Sequence, residues 1–129
     1  MSRRDDLIAL RDAVHAGTFT YGHFLSAFKD NGGKPPDHHP ILSSKAFAAC
    51  KGSVDAALTL LAAVLPGWNV TCLDQACNLA GDPWGAEVSF FDGSNPGRNR
   101  KHYSGHNFST PARALLLATL NALIAESDT

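Results

Sequence analysis

The residues best suited to chemistry lie in a basic, glycine-flanked stretch from Gly97 to His106. Clustered cations attract phosphate and other anions, and an aromatic ring among them offers a face on which a base can stack. The stretch leads within a few residues to Thr110, where a helix is predicted to begin, and the first turn of a helix presents N–H groups that bind anions. The sequence thus predicts a site for phosphate, a nucleotide or single-stranded nucleic acid, formed by Arg98, Arg100, Lys101, His102, Tyr103, Thr110 and Arg113.

The same stretch has a simpler interpretation as a solvated hairpin loop whose cations keep the protein soluble. The chain has 129 residues, a formal net charge of −1 at pH 7 and a pI of about 6.6. No overall field therefore draws it to nucleic acid or to a membrane surface, so any such binding would have to be local. From the sequence, both interpretations stay open.

A zinc site is a second chemical possibility, because the pairs Cys72-x4-Cys77 and His102-x3-His106 have spacings close to those of zinc fingers. The interval from Cys77 to His102, however, is about twice the usual one. In the predicted strand Cys72 also falls on the same face as Trp68 and Val70. It should therefore point toward the core, where free cysteine is most often found. We therefore predict no metal.

Patterns typical of enzymes are missing from the sequence. His38 and His39 are neighbours in a proline-rich loop, and two adjacent side chains rarely converge on one metal ion. The serines near His102 do not form the G-x-S-x-G turn of hydrolases, and no Walker or Rossmann glycine fingerprint is present. We therefore predict no catalytic residue and no cofactor, and we favour a protein that is not an enzyme.

Hydrophobic periodicity predicts three short helices in the first third of the chain. The first has apolar residues at positions i, i+3 and i+7 and ends at Gly17. The second runs from His23 to Lys29, and the third is capped by Ser44 and runs through Lys51. The segment from Lys34 to Pro40 contains three prolines, which exclude a helix and predict a surface loop.

Two longer helices are predicted in the rest of the chain. One runs from Val54 to Leu65, with Ser53 as its N-cap, and the other from Pro111 to Ala125, with Thr110 as its N-cap. The expected buried stripe of the first is Leu58, Leu61 and Leu65, and that of the second is Leu116, Leu120, Leu123 and Ile124.

Two strands are predicted between these helices, because apolar and polar residues alternate from Trp68 to Cys72 and from Trp84 to Phe91. A two-stranded sheet is marginal alone, so we expect a third strand near Lys101–Tyr103 or sheet pairing between two protomers. The expected core contains Leu61, Trp68, Val88, Leu116 and Leu120.

These elements predict an α+β fold with a small antiparallel β-sheet of two to four strands packed by two or more helices, including the two longer ones. Residues 1–51 form a helical N-terminal segment packed on the core, and residues 52–129 form an α-β-β-α sandwich module. The length is that of a single domain.

Three motifs carry a family resemblance: S-V-D-A-A-L at the start of the first longer helix, L-P-G-W at its end, and T-P-A-R-A-L-L-L at the start of the last helix. Their order from Ser53 to Glu126, somewhat more than half of the chain, resembles small bacteriophage and prophage proteins of the NinX-like, α/β/α phage sandwich kind. These motifs are structural, and the family has no established activity. The resemblance implies an accessory protein of a bacteriophage or prophage.

Two hypotheses about function follow. In the first, the protein is a non-enzymatic accessory protein that binds a host macromolecule or a nucleotide-like anionic ligand, including a role in host takeover or anti-defence. In the second, it is a small metal- or histidine-dependent phosphate-processing enzyme. We expect a homo-oligomer such as a homodimer, in the cytoplasm of the bacterial host, without a membrane partner. We predict no secretory leader, and the sequence contains no apolar run of membrane-spanning length and has three cysteines, an odd number.

Overall fold

The computed structural model describes residues 3–28, 42–75, 84–90, 101–107 and 110–126. Their helices are α1 (Arg3–Ala16), α2 (Tyr21–Ala27), α3 (Leu42–Cys50), α4 (Val54–Val64) and α5 (Pro111–Glu126). Their strands are β1 (Trp68–Gln75), β2 (Trp84–Phe90) and β3 (Lys101–Asn107), which form one antiparallel sheet in the order β1-β2-β3. The predicted α+β class is confirmed, and so are the third strand and the helical first third.

The predicted N-caps of the two longer helices are confirmed. The Ser53 hydroxyl accepts a hydrogen bond of 3.1 Å from the backbone N–H of Ala56, and the Thr110 hydroxyl accepts one of 3.1 Å from that of Arg113. Each hydroxyl satisfies a backbone donor that the first turn leaves without a partner. The α1 helix ends before Gly17, whose φ of 79° suits glycine.

The starts of the two shorter helices differ from the prediction. The α2 helix begins at Tyr21 rather than His23, because His23 acts from inside the helix: its Nδ1 accepts a hydrogen bond of 3.0 Å from the Thr20 N–H. The α3 helix begins at Leu42, before the predicted cap Ser44, because Leu42 is buried in the core and its packing outweighs the capping preference of serine. The predicted proline-rich loop, including His38 and His39, lies outside the described residues.

The β1 strand contains a β-bulge that shifts its alternation by one residue. Val70 pairs with Val88, but Leu73 pairs with Ala86, and the register shift lies between Val70 and Cys72. Leu73 packs against the core, as do Trp68 and Val70. The bulge therefore interrupts the alternation from which Cys72 was predicted to face the core, because the extra residue of a bulge cannot be read from the sequence pattern. The Cys72 side chain itself is outside the described part of the chain.

The α5 helix lies at the centre of the fold. One side packs on β3 and β2, and other parts contact α1, α3 and α4. Of the predicted core residues, Leu61, Val88, Leu116 and Leu120 are buried, and Trp68 is half-buried against the core. A helix that is apolar all round is buried all round, which explains why more of α5 is buried than the predicted stripe. The further buried residues of α5 include Ala114, Leu115, Leu117, Ala118 and Ala122.

The α4 helix does not pack on the sheet as predicted. It packs on α3 and α5, and among the described helices α5 alone makes extensive contact with the strands. Leu58, expected in the buried stripe, is 43% exposed, whereas Ala56, Ala57 and Leu60 are buried. Small alanines allow close approach to neighbouring helices, so the buried face is turned away from Leu58.

One hydrophobic cluster includes buried residues of all five described helices and of β2. The layers are therefore the sheet, then α5, then the outer helices that pack on it. The opposite face of the sheet carries polar residues and no described helix packs on it. None of the helices in the described ranges has the length and apolar character required to cross a membrane.

Candidate functional site

The basic stretch predicted from the sequence is divided by the structure. Because β3 begins at Lys101, the residues Lys101, His102 and Tyr103 lie in a strand rather than in a loop. Neighbouring strand residues face opposite sides of a sheet. Tyr103 is half-buried on the core side, where its ring centroid is 5.8 Å from that of Trp68, while His102 is exposed on the other side. The rings of Tyr103 and His102 therefore lie on opposite faces of the sheet, and the role of Tyr103 as a stacking face stays a prediction.

The start of α5 is also separated from the beginning of β3. The strand runs from Lys101 to Asn107, so six steps of ~3.4 Å place its two ends about 20 Å apart, and α5 follows the Asn107 end in sequence. Arg113 is engaged within the fold: its Nε donates a hydrogen bond of 2.6 Å to the Cys50 carbonyl, and its guanidinium lies 5.0 Å from the ring centroid of Phe19. It therefore ties α5 to α3.

The described members of the predicted site lie in two separate places, and their role in ligand binding stays a prediction. Thr110 caps α5 and Arg113 braces its first turn, so neither shares a local surface with His102 in the described structure. Arg98, Arg100 and the side chain of Lys101 lie outside the described residues, and their role in ligand binding stays a prediction. The length of β3, which separates the two groups, could not be read from the residue pattern.

Four polar side chains from all three strands form a hydrogen-bonded group on the open face of the sheet, which we call the sheet-face cluster: Thr71, Glu87, Ser89 and His102. Thr71 Oγ1 lies 2.7 Å from Glu87 Oε1 and 2.8 Å from Ser89 Oγ. His102 Nδ1 lies 3.2 Å from Glu87 Oε1 and 3.2 Å from Ser89 Oγ. Sequence alternation predicted a polar face on β2 but could not show that β3 would place His102 against Glu87.

A cleft of about 310 Å³ lies between α1, β3 and α5, and none of the residues that line it belongs to the sheet-face cluster. Its lining consists of Arg11, Asp12, His15, Ser104, Gly105, Leu117 and Asn121. The volume is at the low end of the ~300–1,000 Å³ typical of small-molecule sites. The cleft therefore suits a small ligand.

A chain of hydrogen bonds orients Arg11 at this cleft. Asn121 Nδ2 donates to the Ser104 carbonyl at 2.8 Å, and Asn121 Oδ1 accepts from Arg11 Nη1 at 3.3 Å. Arg11 Nε donates to Asp12 Oδ1 at 3.1 Å. These bonds use two of the five guanidinium N–H groups, so donors remain for a planar anion. Exposed His15 lies one helical turn further along α1.

The sequence did not indicate this cleft. Arg11 and Asp12 read as part of the polar face of an amphipathic helix and His15 as a partner of the negative end of that helix, and nothing local connected them to Asn121 on α5. The only local feature that pointed toward the cleft was the i, i+4 spacing of Arg11 and His15. This spacing occurs on many surface helices, so it does not single out a site.

Cys50 is unsuited to nucleophilic catalysis. Its side chain is buried at the end of α3, and burial raises the pKa of the thiol although the Arg113 guanidinium opposes this shift. The thiolate is the reactive form of cysteine, and a raised pKa reduces its population at neutral pH.

We expect the purified protein to hold no stoichiometric zinc. Cys72 and His102 lie on strands separated by β2, about 10 Å apart at ~4.8 Å per strand spacing, and the backbone positions of His102 and His106 are about 13 Å apart. Zinc ligands must converge to within about 2.0–2.3 Å of the ion, and the described residues contain no group of three or more His, Cys, Asp or Glu side chains that could do so. Plasma emission analysis checks this; one zinc per chain, lost in Cys77→Ser, would contradict it.

Comparison of the chain with protein-family models, with curated proteins and with solved structures found no match. The class that the fold defines is a small α+β domain built around a central buried helix.

Proposed function

We propose that this protein is a non-enzymatic binding protein that holds a small, nucleotide-like anionic ligand in the cleft between α1, β3 and α5. The observation that carries this proposal is the orientation of Arg11 by Asn121 and Asp12 at the cleft. A fixed guanidinium loses less conformational freedom when it binds a carboxylate or phosphate than a mobile one does. We therefore expect Arg11 to contribute most of the charge-dependent binding energy for an anionic ligand.

The lining suggests how such a ligand is held. Two oxygens of a phosphate can accept hydrogen bonds from the remaining N–H groups of Arg11. His15 on the same helix can act as a second donor. Leu117 supplies apolar surface for a sugar or base. Asp12 is 64% exposed and bonded to Arg11, so its charge is partly offset and well solvated. Arg98 and Arg100 precede β3 in sequence and Lys101 is its first residue, and we propose these three cations as an extension of the site.

The Arg11→Ala variant should bind such a ligand about 10- to 100-fold more weakly, because a hydrogen bond to a charged group contributes about 1.5–3 kcal/mol. A thermal-shift screen with mononucleotides and cyclic dinucleotides identifies a ligand, since binding to the folded state raises the melting temperature. Titration calorimetry then measures both proteins.

Lys45→Ala is the matched control, because it removes one positive charge from α3, which does not line the cleft. Its affinity should stay within about twofold of the parent protein, as expected for a charge that does not line the cleft and is screened by salt. Equal losses in the two variants would assign the effect to overall charge. A complete screen without any ligand, or unchanged affinity in Arg11→Ala, would refute the proposed cleft.

The setting proposed for this activity is that of a bacteriophage or prophage accessory protein in the cytoplasm of the bacterial host, with host takeover or anti-defence as its role. The motif resemblance from Ser53 to Glu126 supports this part of the proposal. A host macromolecule is the alternative partner, and a homodimer is the expected assembly. In the described sheet β1 and β3 are the outer strands, and outer strands can pair between protomers. Sedimentation at several concentrations measures the assembly.

The second hypothesis, a histidine-dependent phosphate-processing enzyme, is favoured by a different observation. His102 and Glu87 form a close pair on the open face of the sheet, away from the residues that line the cleft. The chemistry available to that pair can be derived from its hydrogen bonds.

A further inference from the structure

The hydrogen bonds of the sheet-face cluster determine which nitrogen of His102 carries the proton. Glu87 Oε1 can only accept as a carboxylate, so both Thr71 at 2.7 Å and His102 Nδ1 at 3.2 Å must donate to it. Thr71 has then used its proton and accepts from Ser89 at 2.8 Å. Ser89 in turn accepts from His102 Nδ1 at 3.2 Å. This assignment satisfies all four groups at once.

The neutral imidazole therefore has its lone pair on Nε2. The side chain of His102 is 40% exposed, and Nε2 has no hydrogen-bond partner among the described residues. The ring thus presents a basic, nucleophilic nitrogen to solvent, while a carboxylate holds its other nitrogen. A carboxylate in that place fixes the ring orientation and stabilises the positive charge that forms on the ring when Nε2 makes a new bond.

The β-bulge is an independent feature that supports a built site. The bulge falls at Thr71, the residue whose hydroxyl joins Glu87 to Ser89. Bulges often occur beside active sites, where they change the direction of a side chain. Ser89 is only 3% exposed although it lies on the open face, because Thr71 and His102 cover it. The cluster is therefore ordered and close-packed, unlike a set of separate surface groups.

We propose that His102 is a phosphoryl-accepting nucleophile, with small phosphoryl donors such as phosphoramidates and acyl phosphates as the substrate class. Nε2 attacks phosphorus and a new nitrogen–phosphorus bond forms. The bond from phosphorus to the leaving group breaks, and its electron pair goes to that group. With phosphoramidate, the amine protonated by solvent leaves as ammonia. Glu87 faces Nδ1–H and stabilises the cationic phosphorylated ring. Ligand binding in the cleft is not needed for this step.

The test is incubation of the whole protein with phosphoramidate, followed by intact mass measurement and mapping of the modified residue. We expect His102 to gain one phosphoryl group at least about tenfold faster than exposed His15 in the same molecule, because supporting hydrogen bonds commonly change activity by about 10–100-fold. His102→Asn should abolish the fast reaction. Long-range proton–nitrogen NMR correlations should show the Nδ1–H tautomer before reaction and phosphorus on Nε2 afterwards.

The Glu87→Gln variant separates positioning from simple exposure. Its amide can donate to Nδ1 and so favour the wrong tautomer, and it lacks the charge that stabilises the phosphorylated ring. The rate at His102 should fall at least about tenfold while the rate at His15 in the same sample stays constant, which controls for folding. Equal rates at His102 and His15 in the parent protein, an unchanged rate in Glu87→Gln, or an Nε2–H tautomer would each overturn the proposal. Loss of cleft binding in Arg11→Ala has no bearing on these outcomes.

Discussion

The Gly105→Ala variant should lose about 3 kcal/mol or more of its free energy of unfolding, at the upper end of overpacking effects. An added Cβ would lie 2.7 Å from the Ala114 carbonyl oxygen and 2.7 Å from Leu117 Cβ, and it would also collide with the Ala118 backbone nitrogen. These atoms belong to α5, which is packed between the sheet and the outer helices and cannot move away freely. Urea denaturation followed by circular dichroism measures the loss.

Gly22→Ala is the matched control for this substitution. A Cβ at Gly22 would meet only the Thr20 side-chain oxygen, at the ordinary distance of 3.6 Å. Since glycine is less favourable than alanine in a helix, Gly22→Ala should be neutral or stabilising by up to about 1 kcal/mol. If Gly105→Ala unfolds at the same urea concentration as the parent protein, β3 does not rest on α5 in the way described.

The parts of the fold that follow from local rules were predictable. Ser53 and Thr110 cap their helices because a short side-chain oxygen satisfies a nearby N–H group, and this requires only residues three positions apart. The strand from Trp84 to Phe90 follows from the alternation of apolar and polar residues in its sequence. Each of these features depends on a pattern within a few residues.

Features that depend on distant residues were not predictable in the same way. The all-round apolar sequence of α5 does not show which element covers each face. Both α4 and α5 were therefore predicted to pack on the sheet, whereas only α5 makes extensive contact with the strands among the described helices. Likewise, the leucines of α4 at positions 58, 61 and 65 form a valid helical stripe, yet packing on α3 and α5 uses a face rich in alanine. Several orientations of the helix satisfy the same pattern, and tertiary contacts select one.

The candidate sites show the same limit more strongly. His102 was among the predicted residues, but its partner Glu87 is fifteen positions away and becomes a neighbour only through the register of β2 and β3. Arg11 and Asn121 are 110 positions apart in sequence. Sequence reasoning grouped cations with a helix start because they are close along the chain, whereas the sheet separates them and brings together groups from different elements.

The Leu116→Ala variant should lose about 2–5 kcal/mol of unfolding free energy, the range for truncation of a fully buried leucine that leaves a cavity. Leu116 has no exposed surface and lies in α5, which contacts both the sheet and the other helices. Leu58→Ala removes the same atoms from a side chain that is 43% exposed, so it should cost less than about 1 kcal/mol. Parallel urea melts of the two variants compare burial at constant chemistry. Equal losses, or a loss below about 0.5 kcal/mol for Leu116→Ala, would mean that α5 is not the central buried helix, and the cleft and sheet face that depend on its position would then have to be redrawn.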